Sequence, residues 1–362
     1  MSGSLTDVAG LKVGHYSDAA SATGCTVVLC ERGAVPGVHV SGASPGGREI
    51  ELLRPGYSVN LVHGILLSGG SAYGLDAAAG VMRYLEEQGA GFDTVAGVVP
   101  IVPAAIIYDL SIGDASIRPS ADNAYAACCS AVESQTEEGS VGAGTGATVG
   151  KCLGMNHATK GGVGMASVAL GNDVVVAALI VVNAWGDVID PSSGDVVAGP
   201  RDLNTGRFLR TSGLLKEHRM RRPFPTSNTV IGVVATNVRL RKSQTHRLAQ
   251  MAQVGLARTI DPCGSMYDGD TLFVLAAGDR RCDMNVLGVG AVEAVTVAVQ
   301  QAIQRAWTVA GVPAVRDLKE SCHEDNAQEQ DTPRAGHAGE PGLRGEHHHR
   351  PDAHGRRRPL PL

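Results

Sequence analysis

Aromatic side chains are scarce in this sequence: Phe, Trp and Tyr together make up 4% of its 362 residues. A core of stacked rings is thereby excluded, and the interior falls to Val, Ala, Leu and Ile. Positive charge is also in deficit. With 31 Lys and Arg against 36 Asp and Glu, the net charge is −5, which argues against the basic surface that a general nucleic-acid binder needs. No C-x-x-C pair occurs among the eight cysteines, so the spacing of zinc and redox motifs is missing and buried free thiols are expected. No uninterrupted apolar run approaches the length of a membrane span, and Met1 to Asp7 lacks the basic start and apolar stretch of a signal peptide. These absences predict a cytoplasmic protein whose partners are small molecules rather than nucleic acid or a membrane.

What the chain has in abundance is glycine, 47 residues, within a composition that is 43% hydrophobic. Many close backbone approaches in tightly packed layers follow, which favours an α/β protein. Short apolar runs between residues 6 and 40 read as strands. A glycine-rich turn, Ser71 to Asp76, leads into a helix over 77–88 that Gly89 stops. Val98 to Tyr108 reads as a strand, Asp122 to Glu138 as a second helix, and Val174 to Val182 as a strand buried on both faces. Residues 199–227 form an arginine- and proline-rich excursion. Beyond it come the apolar run Val230 to Thr236, a helix over 243–259, a strand over 271–277 and an alanine- and valine-rich helix over 290–310. After Leu318 the composition turns to Glu, Asp, Gln, His, Arg, Gly and Pro. Residues 1–318 therefore read as one domain and 319–362 as a disordered tail, in which His347-His348-His349 is solvated rather than a metal site.

Several familiar motifs fail on chemistry. Gly42-Ala43-Ser44-Pro45-Gly46 spells a nucleophile elbow, but the residue after that serine must give an N–H to an oxyanion, and Pro45 has none. The run ending Gly150-Lys151 lacks a phosphate loop's glycine, where Thr145 stands, and its Ser or Thr, where Cys152 stands. Gly144-Thr145-Gly146 follows Glu137 and Glu138 rather than a strand, against a dinucleotide fingerprint. A glycine-rich loop that brings backbone amides close to a substrate remains, with Lys151 at its end.

Asn228-Thr229, between the polar excursion and a buried strand, is the junction with chemical promise. If the peptide bond before Thr229 is cut, a free amine with a pKa of about 7.7–8.0 lies beside a hydroxyl, so base and nucleophile share one residue. Asp268 and Asp270, two apart at the mouth of a strand, are either an acidic turn or a pair that orients an amine. Asn183, at the end of a buried strand, is either a satisfied amide or an oxyanion donor.

These segments together resemble the self-cleaving N-terminal-nucleophile hydrolases that include L-aminopeptidase/D-esterase, the β-peptidyl aminopeptidases and the nylon-oligomer endohydrolase. The marks are Leu11 to His15, Gly69 to Leu75, Gly142 to Ala147, Val182-Asn183-Ala184, Asn228-Thr229 and Asp268 to Thr271, in shared order from about Leu5 to Leu318. The resemblance implies a four-layer αββα sandwich and self-cleavage into chains 1–228 and 229–362 that stay together, assembled further as a homo-tetramer of processed heterodimers. It implies that Thr229 is the nucleophile, that Asn183 holds the oxyanion, that Asp268 and Asp270 contact the nucleophile, and that Lys151 and Tyr108 fill the remaining polar positions. The expected reaction is hydrolysis of small peptides or ω-amino-acid amides, with no cofactor or metal. Threonine with two aspartates sets the chain nearer the nylon-oligomer branch. An ornithine acetyltransferase-like acyl transfer, or a non-enzymatic binding role on the same fold, stands as the alternative.

Overall fold

β1 (Lys12–Asp18) pairs antiparallel with the first half of β2 (Thr23–Val40), and that half pairs on its other edge with β3 (Val62–Ser68). β4 (Ala104–Ile106) then joins β3 in parallel. Between Leu29 and Ala34 the ladder shifts register, and the second half of β2 leaves this sheet for another. The second sheet consists of β5 (Gly162–Ala169), β6 (Val175–Asn183), β7 (Thr229–Val238) and β8 (Thr271–Arg280), with the end of β2 on its far side. Only the β7–β8 pair is parallel within it; the other neighbours are antiparallel. The computed structural model describes residues 3–220 and 228–318. The tail over 319–362 and the last part of the polar excursion, 221–227, lie outside the described residues.

Three cores define four layers. Val28, Ile65 and Leu67 from the first sheet meet Leu179, Ile231 and Phe273 from the second, which makes the space between the sheets apolar on both sides. The outer face of the first sheet, through Val27, Leu29 and Leu66, packs on α1 (Ala78–Glu87) and α2 (Ala121–Cys129). The outer face of the second, through Ile180, Val234 and Val274, packs on α3 (Lys242–Thr259) and α4 (Met284–Arg305). Alternation along each strand delivers successive side chains to opposite cores. The αββα sandwich is thus written in which strands are apolar on both faces. Small residues let the layers close: a Cβ on Gly164 of β5 would lie 2.1 Å from the Ala298 carbonyl of α4.

Element ends depart from the sequence reading where tertiary partners intervene. α2 ends at Cys129 rather than Glu138, because Val132 exchanges backbone hydrogen bonds with Val13 of β1, both 3.0 Å, and the Glu138 carboxylate accepts the Met165 amide at 2.6 Å. Val98 to Tyr108 yields a short strand at Gly97–Val99 and then β4, since Pro100 and Pro103 have no N–H for a ladder. α4 starts six residues early, where the Asp283 side chain caps it by accepting from the Asn285 and Val286 amides, and stops at Arg305 because Ala306 is extended. That helix is long and apolar enough to span a bilayer, with a mean hydropathy of 1.6. Its apolar face is instead covered by α3 and the second sheet. The seven described cysteines are all free, and Cys25, Cys30, Cys128 and Cys152 are buried.

Candidate active site

β7 is central in the second sheet, and its first residue is Thr229. On one side, register pairs Thr229 with Asn183, the last residue of β6. On the other, Asn228 bridges Asp268 just ahead of β8. Strand pairing alone therefore carries Asn183, Asn228, Thr229, Asp268 and Asp270 to one end of one sheet. All five are buried, none more than 4% exposed.

In the uncut chain the Thr229 hydroxyl donates to the carbonyl oxygen of Asn228, the residue before it. The same oxygen accepts the Gly269 amide at 3.2 Å. Asp270 Oδ1 accepts the Val230 amide at 2.7 Å, so it fixes the backbone next to Thr229, while Asp268 Oδ2 accepts the Ser265 amide at 2.8 Å and its hydroxyl at 2.6 Å. The two carboxylates thus border Thr229 through backbone and serine partners. Burial raises the pKa of both above the usual carboxylate range, and for Asp270 the neighbouring Asp268 charge adds to it.

Asn183 is held on every side. Its Oδ1 accepts Lys151 Nζ at 2.8 Å and the Thr148 amide at 3.0 Å, and its Nδ2 donates to the Tyr108 carbonyl at 3.3 Å. Since the ammonium and the backbone amide can only donate, they settle which end of the side chain is oxygen. Nδ2 retains a second hydrogen beyond the one given to Tyr108. Lys151 also donates to the Asn183 carbonyl at 3.1 Å, and burial pulls its pKa down to about 7 against the pull of Asp268 and Asp109. Tyr108 enters through its backbone; its half-buried ring lines a small hollow with Ser111, Ile112 and Met155. Met155 also borders a neighbouring cleft of about 330 Å³ formed by residues 153–157.

The structure brings all six of the sequence's candidates to one place and adds residues the sequence did not single out. The loop spelled as a nucleophile elbow proves to be a brace: the Ser41 amide donates to the Asp270 carbonyl at 2.8 Å and the Ser44 amide to the Asp268 carbonyl at 3.0 Å. Trp185, 1% exposed, packs on Tyr267 with ring centroids 5.0 Å apart, and its Nε1 and the Asn228 Oδ1 have no hydrogen-bond partner among the described residues. Asp187 accepts the Thr211 amide at 2.7 Å, pinning a six-residue helix, Thr211–Lys216, over Trp185 through Leu214. Buried Asp109 and Lys160 complete the set. Their only signal was a lone charge within an apolar or glycine-rich run.

The sequence profile of peptidase family S58 matches residues 3–316. The chain belongs to peptidase family S58. An uncharacterized aminopeptidase of Mycobacterium leprae is 41% identical over 86% of this chain and 92% of its own length. A 6-aminohexanoate-oligomer endohydrolase of Agromyces sp. is 32% identical over 75% of this chain and 74% of its own. Among solved structures, the L-aminopeptidase D-Ala-esterase/amidase of Ochrobactrum anthropi, described as a variant of the Ntn hydrolase fold, superposes with a TM-score of 0.67 at 19% identity, covering 89% of this chain and 94% of that one. A Burkholderia sp. β-aminopeptidase gives 0.60 at 23% identity, with 89% and 93% covered. The S58 chain is accordingly a hydrolase on an Ntn-type fold.

Proposed function

We propose that this S58 chain cuts itself between Asn228 and Thr229 and then hydrolyses amide bonds with the freed Thr229. The observation that carries the reading is the hydroxyl of Thr229 resting on the Asn228 carbonyl, whose oxygen also takes the Gly269 amide. Attack of Oγ1 on that carbonyl carbon forms an ester and breaks the peptide C–N bond, the hydroxyl proton passing to the departing nitrogen. Water then cleaves the ester, leaving the Asn228 carboxylate and a free Thr229 amine.

In the cut enzyme the Thr229 amine takes the proton of its own hydroxyl as Oγ1 attacks a substrate amide. The second Nδ2 hydrogen of Asn183 and the Gly269 amide stabilise the oxyanion, and the buried Asp270 orients the amine end through the adjoining backbone. The acyl-threonine is released by water. The names of the relatives support aminopeptidase action or cleavage of 6-aminohexanoate oligomers, and we take small peptides and ω-amino-acid amides as the substrate class. The assembly we propose is a cytoplasmic homo-oligomer of cleaved chains.

Mass spectrometry of the purified protein tests the first step: two chains are expected, the smaller beginning at Thr229, and Thr229→Ala should leave one. A Thr229→Ala chain that still cleaves at this bond would sink the assignment.

A further inference from the structure

Lys160 is 0% exposed, and its ammonium donates to three carbonyls, Gly144 at 2.7 Å, Ala147 at 2.8 Å and Gly161 at 2.9 Å. A protonated lysine has three N–H bonds, and here each has an acceptor. A neutral amine has two N–H bonds for these three carbonyls and would turn its lone pair towards the third, so the cage fits the charged form even though burial pulls the pKa down to about 7. Asp109, 3% exposed, is the opposite charge that offsets this burial. It accepts the Gly70 amide at 2.7 Å and the Thr23 hydroxyl at 2.7 Å. Two of the glycine motifs converge on it: a Cβ on Gly69 would lie 2.1 Å from Asp109 Oδ2, and one on Gly146 would lie 2.6 Å from the same atom.

Each of these charges stands one peptide from Asn183. Ala147, whose carbonyl Lys160 holds, precedes Thr148, whose amide binds Asn183 Oδ1. Asp109 follows Tyr108, whose carbonyl takes Asn183 Nδ2. We propose that Lys160 and Asp109 are a positioning pair that fixes the two ends of the Asn183 amide, and so aims its remaining N–H at the scissile carbonyl in both self-cleavage and substrate hydrolysis. The proposal rests on the oxyanion role of Asn183 given above.

The test is a double-mutant cycle read by the self-cleavage half-time of pulse-labelled full-length chain on a denaturing gel, with hydrolysis of β-alanine p-nitroanilide as a second readout. Asn183→Ala should slow cleavage by about 10²–10³-fold. Lys160→Met should slow it by roughly 10–100-fold, as loss of a group that orients a catalytic one does, with kcat falling and KM little changed. The double variant should be no slower than Asn183→Ala alone, a coupling that a merely structural lysine would not produce. Should Lys160→Met fail to fold, the isosteric Asp109→Asn carries the same cycle. Losses that multiply, or wild-type cleavage in folded Lys160→Met and Asp109→Asn, would overturn the proposal alone. An unchanged rate in Asn183→Ala would overturn it together with the Asn183 assignment, and leave Thr229 standing.

Discussion

His15 shows how a single side chain couples this fold to pH. Its Nδ1 lies 2.9 Å from Thr26 Oγ1 and its Nε2 3.4 Å from Thr136 Oγ1, and burial lowers its pKa from 6.5 to about 4. The folded state thus binds fewer protons than the unfolded chain between these values, so its contribution is present above pH 6.5 and is lost as pH falls towards 4. Urea midpoints measured from pH 7 to pH 4 should fall in the wild type and fall less in His15→Gln. Equal slopes would show that His15 is not the group responsible. Asn183 behaves differently at this scale, because its value lies in what it leaves unpaired. Under the proposed oxyanion role, removing that donor should cost about 2.7–4 kcal/mol of transition-state stabilisation, and Asn183→Ala should also lower the thermal midpoint, because Lys151 Nζ and the Thr148 amide lose their shared acceptor.

At the scale of elements, the loop over residues 41–45 decides how well the 268–270 turn is held. Gly42 has φ +84°, and a Cβ there would lie 2.2 Å from the Asp268 carbonyl oxygen. Gly42→Ala should therefore destabilise by more than the αL penalty of about 1–2 kcal/mol and slow self-cleavage by moving the Gly269 amide. Gly171→Ala, at φ +81° with nothing within 4 Å of its Cβ, should show the backbone penalty alone. Thermal midpoints and gel half-times of the two variants make the comparison. This brace also marks what sequence could and could not convey. Strands such as β6 and β7 were legible because Val and Ile runs buried on both faces need partners on both faces. Asn183, Thr229 and Asp268 stood out because each is a polar residue at the end of such a run. Lys160 and Asp109 did not, since their roles depend on carbonyls and amides that only the folded chain brings around them. The 41–45 loop carries Pro45 where a nucleophile elbow needs an N–H, and its structural work lies in backbone contacts that no side-chain pattern encodes.

Across the whole molecule, the proposed cut between 228 and 229 falls inside the architecture rather than at a border. β7 and β8 belong to the downstream part, but β7 is paired along its length with β6, from Val176↔Thr236 to Asn183↔Thr229, and β8 pairs with β2. The two parts share the inter-sheet core, in which Phe273 is 0% exposed. Cleaved protein should elute as one species on size exclusion and unfold in a single thermal transition, and Phe273→Ala should lower that one transition by about 3–5 kcal/mol. Separation of the parts under native conditions would show that the shared sheet does not hold them.

Thr229 has a consequence beyond its chemistry. Under the proposed cut, the new chain end would lie at a residue that is 4% exposed in the uncut chain, at the start of a central strand. The proposed reaction would thus free an amine that a small substrate can reach and that another protein can grip only if the sheet opens.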